Sequence, residues 1–262
     1  MLELKGICKT FNAGTINEKV VFNGLDLTIN DGDFITVIGG NGAGKSTMLN
    51  AIAGVWPLDD GQIIIDGQDI TRLPEHKRAK FIGRVFQDPR MGTAPDMWVE
   101  ENMSIADSRG LRRGIAWAIS ARDRERYKKL LTQLDLGLET RLTSKVGLLS
   151  GGQRQAVTLL MAAMNDPKLL LLDEHTAALD PKTAAKVLEI TDKLVNENKL
   201  TTLMITHNMN DAIKHGNRLI MMNNGRIVYD VSGEEKKNLT VDFLIKKFSE
   251  VGDVLSDKAL LN

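Results

Sequence analysis

The sequence predicts an α/β fold with a mixed, mostly parallel sheet, an antiparallel β part near the N-terminus and an inserted all-helical region. In the middle of the chain, short apolar runs alternate with helical patterns, which predicts parallel strands joined by helices. Glycine-marked β segments near both termini predict antiparallel strands. Between Gln87 and Leu149 no long β-branched run occurs, so this stretch is predicted to be helical.

The predicted strands are short and are bounded by turn residues. They span residues 2–7, 25–29, 34–38, 63–66, 82–86, 169–172, 201–206, 218–222 and 226–231. The last two flank Asn223-Asn224-Gly225, which is a hairpin signal. The predicted helices span residues 48–53, 98–105, 111–119, 122–136 and 153–164, and the tail is predicted to hold two more.

A phosphate-binding loop of the form G-x-x-x-x-G-K-[ST] follows the third predicted strand and precedes a helical pattern, which is the context that such a loop requires. Its residues are Gly39, Gly40, Asn41, Gly42, Ala43, Gly44, Lys45, Ser46 and Thr47. The glycines let backbone N–H groups curl around the α and β phosphates of a nucleotide. Lys45 reaches the β and γ phosphates, and the Ser46 hydroxyl ligates Mg²⁺.

Two carboxylates follow the apolar run Leu169–Leu172, which is typical of a strand buried on both faces of a parallel sheet. The ligand crevice of such sheets lies at the C-terminal ends of the strands. Asp173 is therefore predicted to hold Mg²⁺ through water, and Glu174 to act as the general base on the attacking water. The alternative, that one acid only caps the next helix, is disfavoured by the four leucines and the phosphate loop upstream.

A second glycine pair lies in Leu149-Ser150-Gly151-Gly152-Gln153, directly before a helix with apolar residues at spacings of three and four. Unpaired N–H groups and the positive dipole end make a helix N-terminus an anion site, and Ser150 adds a hydroxyl. The alternative is an ordinary serine-capped helix behind a glycine turn. The segment is predicted to bind a second phosphate group.

Three single residues complete the predicted site, each with an alternative. Gln87 ends an apolar stretch, where its amide could contact both metal and water, although a lone glutamine is usually a surface residue. His207 ends a β-rich run and could bond a γ-phosphate oxygen, or be structural. Phe11 could offer its ring to adenine, or be a core aromatic.

On these motifs, in this order, residues 2–232 resemble the nucleotide-binding subunit of an ABC transporter. Phe11 matches the A-loop aromatic, Gly39–Thr47 the Walker A loop, Gln87 the Q-loop and Leu149–Gln153 the signature. Asp173 and Glu174 match the Walker B end and catalytic glutamate, Ala178-Leu179-Asp180 the D-loop, and His207 the switch histidine. The resemblance implies catalytic roles for Lys45, Gln87, Glu174 and His207, metal ligation by Ser46, Gln87 and Asp173, and nucleotide contacts by Asp180 and by residues 150–153.

The resemblance also implies an architecture and a set of partners. A P-loop NTPase (RecA-like) core with a β subdomain is expected at 1–87 and 155–232, a helical signature subdomain at 88–154 and a short helical tail at 233–262. Each ATP would lie between the Walker A loop of one subunit and the signature of the other, so a dimer, most simply a homodimer, is expected. ATP and Mg²⁺ are the expected cofactors. Polytopic permease subunits and an extracytoplasmic substrate-binding protein are the expected partners, and this chain is expected at the cytoplasmic face of the membrane. A separate single-cassette chain favours import, with export as the alternative, because separate exporter ATPases also exist.

His175 departs from the family pattern, which usually has proline after the catalytic glutamate. The chemistry does not need that proline, and its loss only loosens the backbone behind the base. His175 together with Arg154-Gln155 resembles the ATPases of bacterial binding-protein-dependent importers, some of them for aromatic amino acids.

Composition excludes other classes. Lys plus Arg equals Asp plus Glu at 34 each, so no net field attracts nucleic acid. Cys8 is the one cysteine, which excludes an internal disulfide, and no apolar run approaches the length needed to span a membrane.

A soluble ABC ATPase acting on ribosomes or DNA is the main alternative function, although such relatives usually carry two cassettes or a long coiled coil. A GTPase or small-molecule kinase would share only the phosphate loop.

A basic segment lies at residues 108–129. It contains eight basic and two acidic residues, which gives a net charge of plus six (8 − 2). One interpretation is that these residues form a solvated helical face. The other is that they form a surface that contacts the permease or anionic lipid head groups.

Overall fold

The computed structural model describes residues 1–110 and 119–250. The strands are β1 (Leu2–Phe11), β2 (Lys19–Ile29), β3 (Phe34–Gly39), β4 (Asp60–Ile65), β5 (Gln68–Asp69), β6 (Ile82–Val85), β7 (Leu169–Asp173), β8 (Thr202–Ile205), β9 (Arg218–Asn223) and β10 (Arg226–Ser232). The helices are α1 (Lys45–Ala53), α2 (Glu75–Arg78), α3 (Val99–Asp107), α4 (Ala121–Thr132), α5 (Gly151–Ala163), α6 (Pro181–Asn198), α7 (Met209–Lys214), α8 (Gly233–Lys237) and α9 (Val241–Glu250). Contacts divide the chain into a first unit, Met1–Arg78 with Leu200–Asn262, and a second unit, Ala79–Lys199.

The first unit holds two sheets. An antiparallel sheet has the strand order β2-β1-β4-β5, with Leu4 paired to Leu27 on one side and to Ile63 on the other. In the other sheet, β3 pairs in parallel with β8 and with β9, and β9 forms a hairpin with β10. All six residues of β3 are buried, because both faces of this strand are covered.

The second unit combines a parallel strand pair with helices. Strands β6 and β7 pair in parallel, and the four leucines of β7 are fully buried. Helix α5 contributes ten buried residues, which explains its predominantly apolar sequence. The predicted helix 111–119 lies, except for its last residue, outside the described residues.

Several element boundaries differ from the predicted ones. Strand β1 continues to Phe11 instead of ending at Ile7, because Lys9 occupies a buried position and is bonded to Asp59 at 3.1 Å. A polar residue at an inward position hides the alternation of the strand. Helices α1 and α5 begin earlier than predicted, at Lys45 and Gly151, because the last residues of the predicted loops already have helical geometry. The two tail helices are confirmed as α8 and α9.

Three of the eight basic residues in the basic segment form ion pairs within the part of the second unit that the structure describes. Arg124 forms two hydrogen bonds, of 2.8 and 2.9 Å, with the buried carboxylate of Glu100. Arg126 is paired with Asp107, and Lys128 with Glu125. Arg112 and Arg113 lie outside the described residues, so the membrane-facing interpretation of the segment stays a prediction.

Among the described residues, no helix combines the length and the apolar character needed to cross a bilayer.

Arg78 closes the C-terminal end of α1. Its buried guanidinium donates to the carbonyls of Ala51 and Ile52 in the last turn of α1, at 2.7 and 2.8 Å. It also donates to the carbonyls of Thr71 and Leu73, at 2.7 and 2.8 Å. One side chain therefore donates to four backbone carbonyls, two of them at the C-terminal end of α1, where the helix itself supplies too few donors.

We expect Arg78→Leu to lower the free energy of unfolding by roughly 3 kcal/mol, because buried carbonyls lose their donor. Urea denaturation at constant temperature measures this loss. The control is Lys77→Leu, which makes a similar change on the exposed neighbouring residue and is expected to change the stability by less than about 0.5 kcal/mol. Equal stability of the two variants would contradict the capping role.

Candidate nucleotide-binding site

The phosphate loop connects β3 to α1 in the first unit. Gly44 is the N-cap of α1 with φ 101°, a left-handed conformation that favours glycine. A Cβ on Gly39 would lie 2.3 Å from the carbonyl oxygen of Met222, so the loop passes too close to β9 for any larger residue. The Met48 amide donates to the Gly44 carbonyl at 2.8 Å, which starts the helix directly at the loop. The positive end of the α1 dipole therefore faces the loop.

Lys45 lies inside this loop, and only 7% of it is exposed. Its Nζ donates to the carbonyl oxygens of Gly39 and Gly40, at 2.6 and 3.1 Å. The loop backbone thus holds the Lys45 ammonium at the N-terminus of α1, where it would compensate the negative charge of a bound phosphate.

His207 is placed near the phosphate loop by strand pairing. Strands β3 and β8 are adjacent and parallel, and the Thr206 amide donates to the Val37 carbonyl at 3.1 Å. The loop and His207 therefore follow the same ends of neighbouring strands, which is the edge where ligands bind in such sheets. Asn208 fixes the next turn, since its side chain accepts hydrogen bonds from the amides of Asn210 and Asp211 at 2.9 and 3.2 Å and so caps α7.

Asp211 lies on the first turn of α7, close to His207. Burial raises the pKa of the Asp211 carboxyl, while positive charge on His215, Lys214 and His207 opposes that rise.

Phe11 is the last residue of β1 and is partly exposed. Its ring packs edge-to-face against Trp56, with the centroids 4.9 Å apart, and Lys9 Nζ lies 5.4 Å from the ring centroid. Sequence reasoning missed Trp56, because 45 residues separate it from Phe11 (56 − 11) and no local pattern links them. The sequence does contain a signal that Lys9 lies near Phe11, because residues two apart in a strand lie on the same face.

The predicted acidic site belongs to the second unit. Asp173 ends β7, and its Oδ2 lies 3.9 Å from Nη2 of Arg84 on β6. Glu174 follows with φ 46°, a left-handed conformation that is uncommon for a residue with a side chain. Because Val85 pairs with Leu172 in parallel register, Gln87 and the two acids follow the same ends of adjacent strands. Sequence reasoning did not single out Arg84, which has no motif of its own.

The second glycine pair forms the N-terminus of α5, and serine capping is confirmed. Ser150 Oγ accepts the Gln153 amide, and Gln153 Oε1 accepts the Ser150 amide, both at 3.2 Å. Capping does not compete with phosphate binding, because a hydroxyl that accepts one bond still carries a proton to donate.

Helix α6 begins beside α5 with a cap of its own. Asp180 accepts the Thr183 amide at 3.1 Å, and hydrogen bonds from the Thr183 hydroxyl and amide lower the pKa of the Asp180 carboxyl. A Cβ on Gly152 would lie 2.1 Å from the Thr183 methyl carbon. Glycine at this position therefore lets α5 and α6 approach closely.

The predicted site residues are divided between the two units. The first unit carries Phe11, the phosphate loop and His207, whereas the second carries Gln87, residues 150–153, Asp173, Glu174 and Asp180. Their functional roles stay predictions. No group of three or more His, Cys, Asp or Glu side chains that could hold a metal occurs within residues 1–110 and 119–250.

Known proteins resemble this chain over nearly its whole length. The ABC transporter family profile matches residues 22–177. The chain is 46% identical to the tyrosine transport ATP-binding protein of Clostridioides difficile strain R20291, over 95% of this chain and 98% of that protein. It is 36% identical to the spermidine/putrescine import ATP-binding protein PotA of Escherichia coli strain K12, over 92% of this chain but only 60% of PotA.

Solved structures share the fold. The ATP-binding cassette MJ0796, a dimer in a post-hydrolysis state bound to ADP and Pi, matches with a TM-score of 0.75 and 30% identity, over 88% of this chain and 98% of that chain. The ADP conformation of the ATP-binding cassette MJ1267 matches with a TM-score of 0.78 and 27% identity, over 97% and 99%. These matches confirm the predicted fold class.

The contact between Gly152 and Thr183 gives a test of the α5–α6 packing. We expect Gly152→Ala to lower the free energy of unfolding by about 1 to 3 kcal/mol, because the new methyl group overlaps the Thr183 methyl group. The double variant Gly152→Ala with Thr183→Ser is expected to recover most of this loss, since serine keeps the hydroxyl and lacks the methyl group. Urea denaturation of the single and double variants measures the coupling, and strictly additive effects would contradict the overlap.

Proposed function

Because the chain belongs to the ABC transporter family, we propose that its ATP hydrolysis drives the import of an aromatic amino acid, with tyrosine as the first candidate. The chain is an ATP-binding subunit and an ATPase of this family. The solute proposal is supported by the 46% identity with a tyrosine transport ATP-binding protein that is matched over 98% of its length. The polyamine-import relatives have lower sequence identity to this chain, which matches only about three fifths of their length.

The working unit is a dimer around two ATP molecules, as the dimeric cassette structures support. Each chain carries two helix N-termini suited to phosphate, at α1 behind the Walker A loop and at α5 behind the signature. In this proposal each ATP is bound by α1 of one chain and α5 of the other. ATP binding then favours the closed dimer, and hydrolysis removes the contact that holds it closed.

Each site residue has a proposed chemical role. Glu174 accepts a proton from the attacking water, while Gln87 and His207 orient the water and the γ-phosphate. Lys45 compensates phosphate charge, and the ring of Phe11 stacks on adenine. Ser46, Gln87 and Asp173 would hold Mg²⁺, Asp173 through water, and their oxygen donors fit this ion, which prefers oxygen ligands and keeps several waters beside phosphate oxygens. When bound, Mg²⁺ neutralises charge that develops on the phosphates.

A groove in the second unit is proposed as the permease docking surface. It has a volume of about 420 Å³ and a mostly apolar lining, which includes Met91, Ile105 and Met161. Met91 and Ile105 are 68% and 58% exposed, and large apolar residues exposed together often mark a protein contact. The proposed occupant is an amphipathic helical segment of a membrane permease, and the chain itself is proposed to lie peripherally at the cytoplasmic face. An extracytoplasmic substrate-binding protein would complete the system.

The catalytic roles are tested by two substitutions in the purified protein. We expect Glu174→Gln to bind ATP normally but to lose at least about 99% of turnover, because the amide cannot accept the proton. We expect Lys45→Ala to lose ATP binding, because the phosphate charge goes uncompensated. Isothermal titration and phosphate release measure the two effects. Glu189→Gln, the same change on an exposed residue of α6, is the control. Normal turnover in Glu174→Gln would refute the assigned base.

The solute proposal is tested by uptake in the native host. Deletion of this chain is expected to abolish high-affinity uptake of labelled tyrosine, and wild-type protein but not Glu174→Gln is expected to restore it. Labelled spermidine is the comparison solute. Loss of spermidine uptake with normal tyrosine uptake would overturn the aromatic assignment and favour polyamine import.

The docking groove is tested by co-purification of the permease from solubilised membranes. We expect Ile105→Glu to reduce permease recovery at least about tenfold, since a charge would be buried in an apolar contact. Ile16→Glu introduces the same charge at an exposed residue of the first unit and serves as the control. Equal recovery with both variants would contradict the proposed surface.

A further inference from the structure

His175, which stands where most of the family has proline, is buried beside the proposed general base. Only 2% of the residue is exposed, and its Nε2 lies 3.0 Å from Oγ1 of Thr191. Thr191 is fully buried near the middle of the 18-residue helix α6. The imidazole therefore connects the turn behind Glu174 to a long packed helix within the same unit.

The direction of this hydrogen bond follows from the second bond of Thr191. The Thr191 hydroxyl donates its single proton to the Val187 carbonyl at 2.9 Å, one turn earlier in α6. It must then accept the bond from His175, so the imidazole donates through Nε2–H. The two bonds form a chain from the turn through the hydroxyl to the backbone of α6.

The turn that carries Glu174 needs such an anchor. Glu174 has φ 46°, and a side-chain-bearing residue keeps this unfavourable conformation only when its surroundings hold it. The Ala177 amide donates to the Glu174 carbonyl at 3.0 Å, which closes the turn on one side. Proline at position 175 would fix its own φ and restrict the residue before it, whereas histidine does neither. The hydrogen bond to α6 therefore holds residue 175 in place without a ring constraint on the backbone.

We propose that His175 is a positioning residue for ATP hydrolysis, and that its hydrogen bond to Thr191 fixes the backbone from which Glu174 reaches the attacking water. The inference rests on the proposed role of Glu174 as general base. A loosened turn would leave ATP binding intact, because Glu174 is not needed to hold the nucleotide. It would lower turnover, because a base displaced by about 1 Å can cost roughly a hundredfold in rate.

The test removes the acceptor and leaves the histidine in place. Thr191→Val keeps the shape of the side chain but removes the hydroxyl, and we expect kcat for ATP at saturating Mg²⁺ to fall at least tenfold while the Kd for ATP changes less than twofold. Thr191→Ser restores the hydroxyl and is expected to recover kcat to within twofold of wild type. Thr132→Val is the matched control, because Thr132 makes the same bond to a carbonyl one turn earlier, at 2.9 Å, on exposed α4.

Further outcomes separate positioning from folding. All variants are assayed well below their melting temperatures, so that a loss of folded protein would reduce ATP binding and turnover together. Wild-type kcat in Thr191→Val, or a proportional loss of ATP binding and kcat, would overturn the proposal. In a Glu174→Gln background, Thr191→Val is expected to cause no further loss of the residual turnover, because the base that it positions is gone. A further tenfold loss would also overturn it.

The proposal and the underlying function fail in different ways. Normal turnover in Glu174→Gln would refute the general base itself. Inactive Glu174→Gln together with fully active Thr191→Val would leave the base in place and refute only the role of His175.

Discussion

Parallel strand pairing in a fixed register is the constraint on which the rest of the molecule depends. It brings the phosphate loop after β3 and His207 after β8 to the same ends of adjacent strands in the first unit. In the second unit, the pairing of β6 with β7 does the same for Gln87 and the carboxylates of Asp173 and Glu174. Groups distant in sequence thereby reach the edge of a sheet where ligands bind. A slip of one residue in either pair would turn these groups to the opposite face.

Three basic side chains, the buried Arg78 and Lys236 and the half-buried Arg109, close the C-terminal ends of helices that begin at or beside the proposed site. Arg78 bonds carbonyls in the last turn of α1, and Arg109 bonds the carbonyls of Met161 and Ala162 at the end of α5. Lys236 bonds the carbonyls of Ile213, His215 and Gly216 at the end of α7. Cations at helix C-termini are favourable because they complement the dipole and the unpaired carbonyls. Each helix is fixed at its C-terminal end, while its N-terminal end adjoins a proposed phosphate site or His207.

The sequence predicts the local parts of this structure well, for a physical reason. The phosphate loop and the turn before α5 can be recognised in runs of consecutive residues, because each requires glycines and capping residues at fixed positions. Groups contributed by tertiary contact could not be predicted. Trp56, Arg84 and Thr191 carry no motif, and each matters only because another element passes close to it. Strand β1 was predicted too short for the same reason, since the partner that lets Lys9 point inward is Asp59 on a distant segment.

The central claim is that each ATP is shared between two chains, and one mixing experiment tests it directly. Lys45→Ala disables the Walker A loop, and Ser150→Arg blocks the signature by placing a long side chain at the N-terminus of α5. Each variant alone should be inactive. In an equimolar mixture, half of the dimers should be mixed, and each of these should contain one intact site built from both chains. ATPase activity should therefore return to about a quarter of the wild-type value. A mixture as inactive as its components would contradict the shared site.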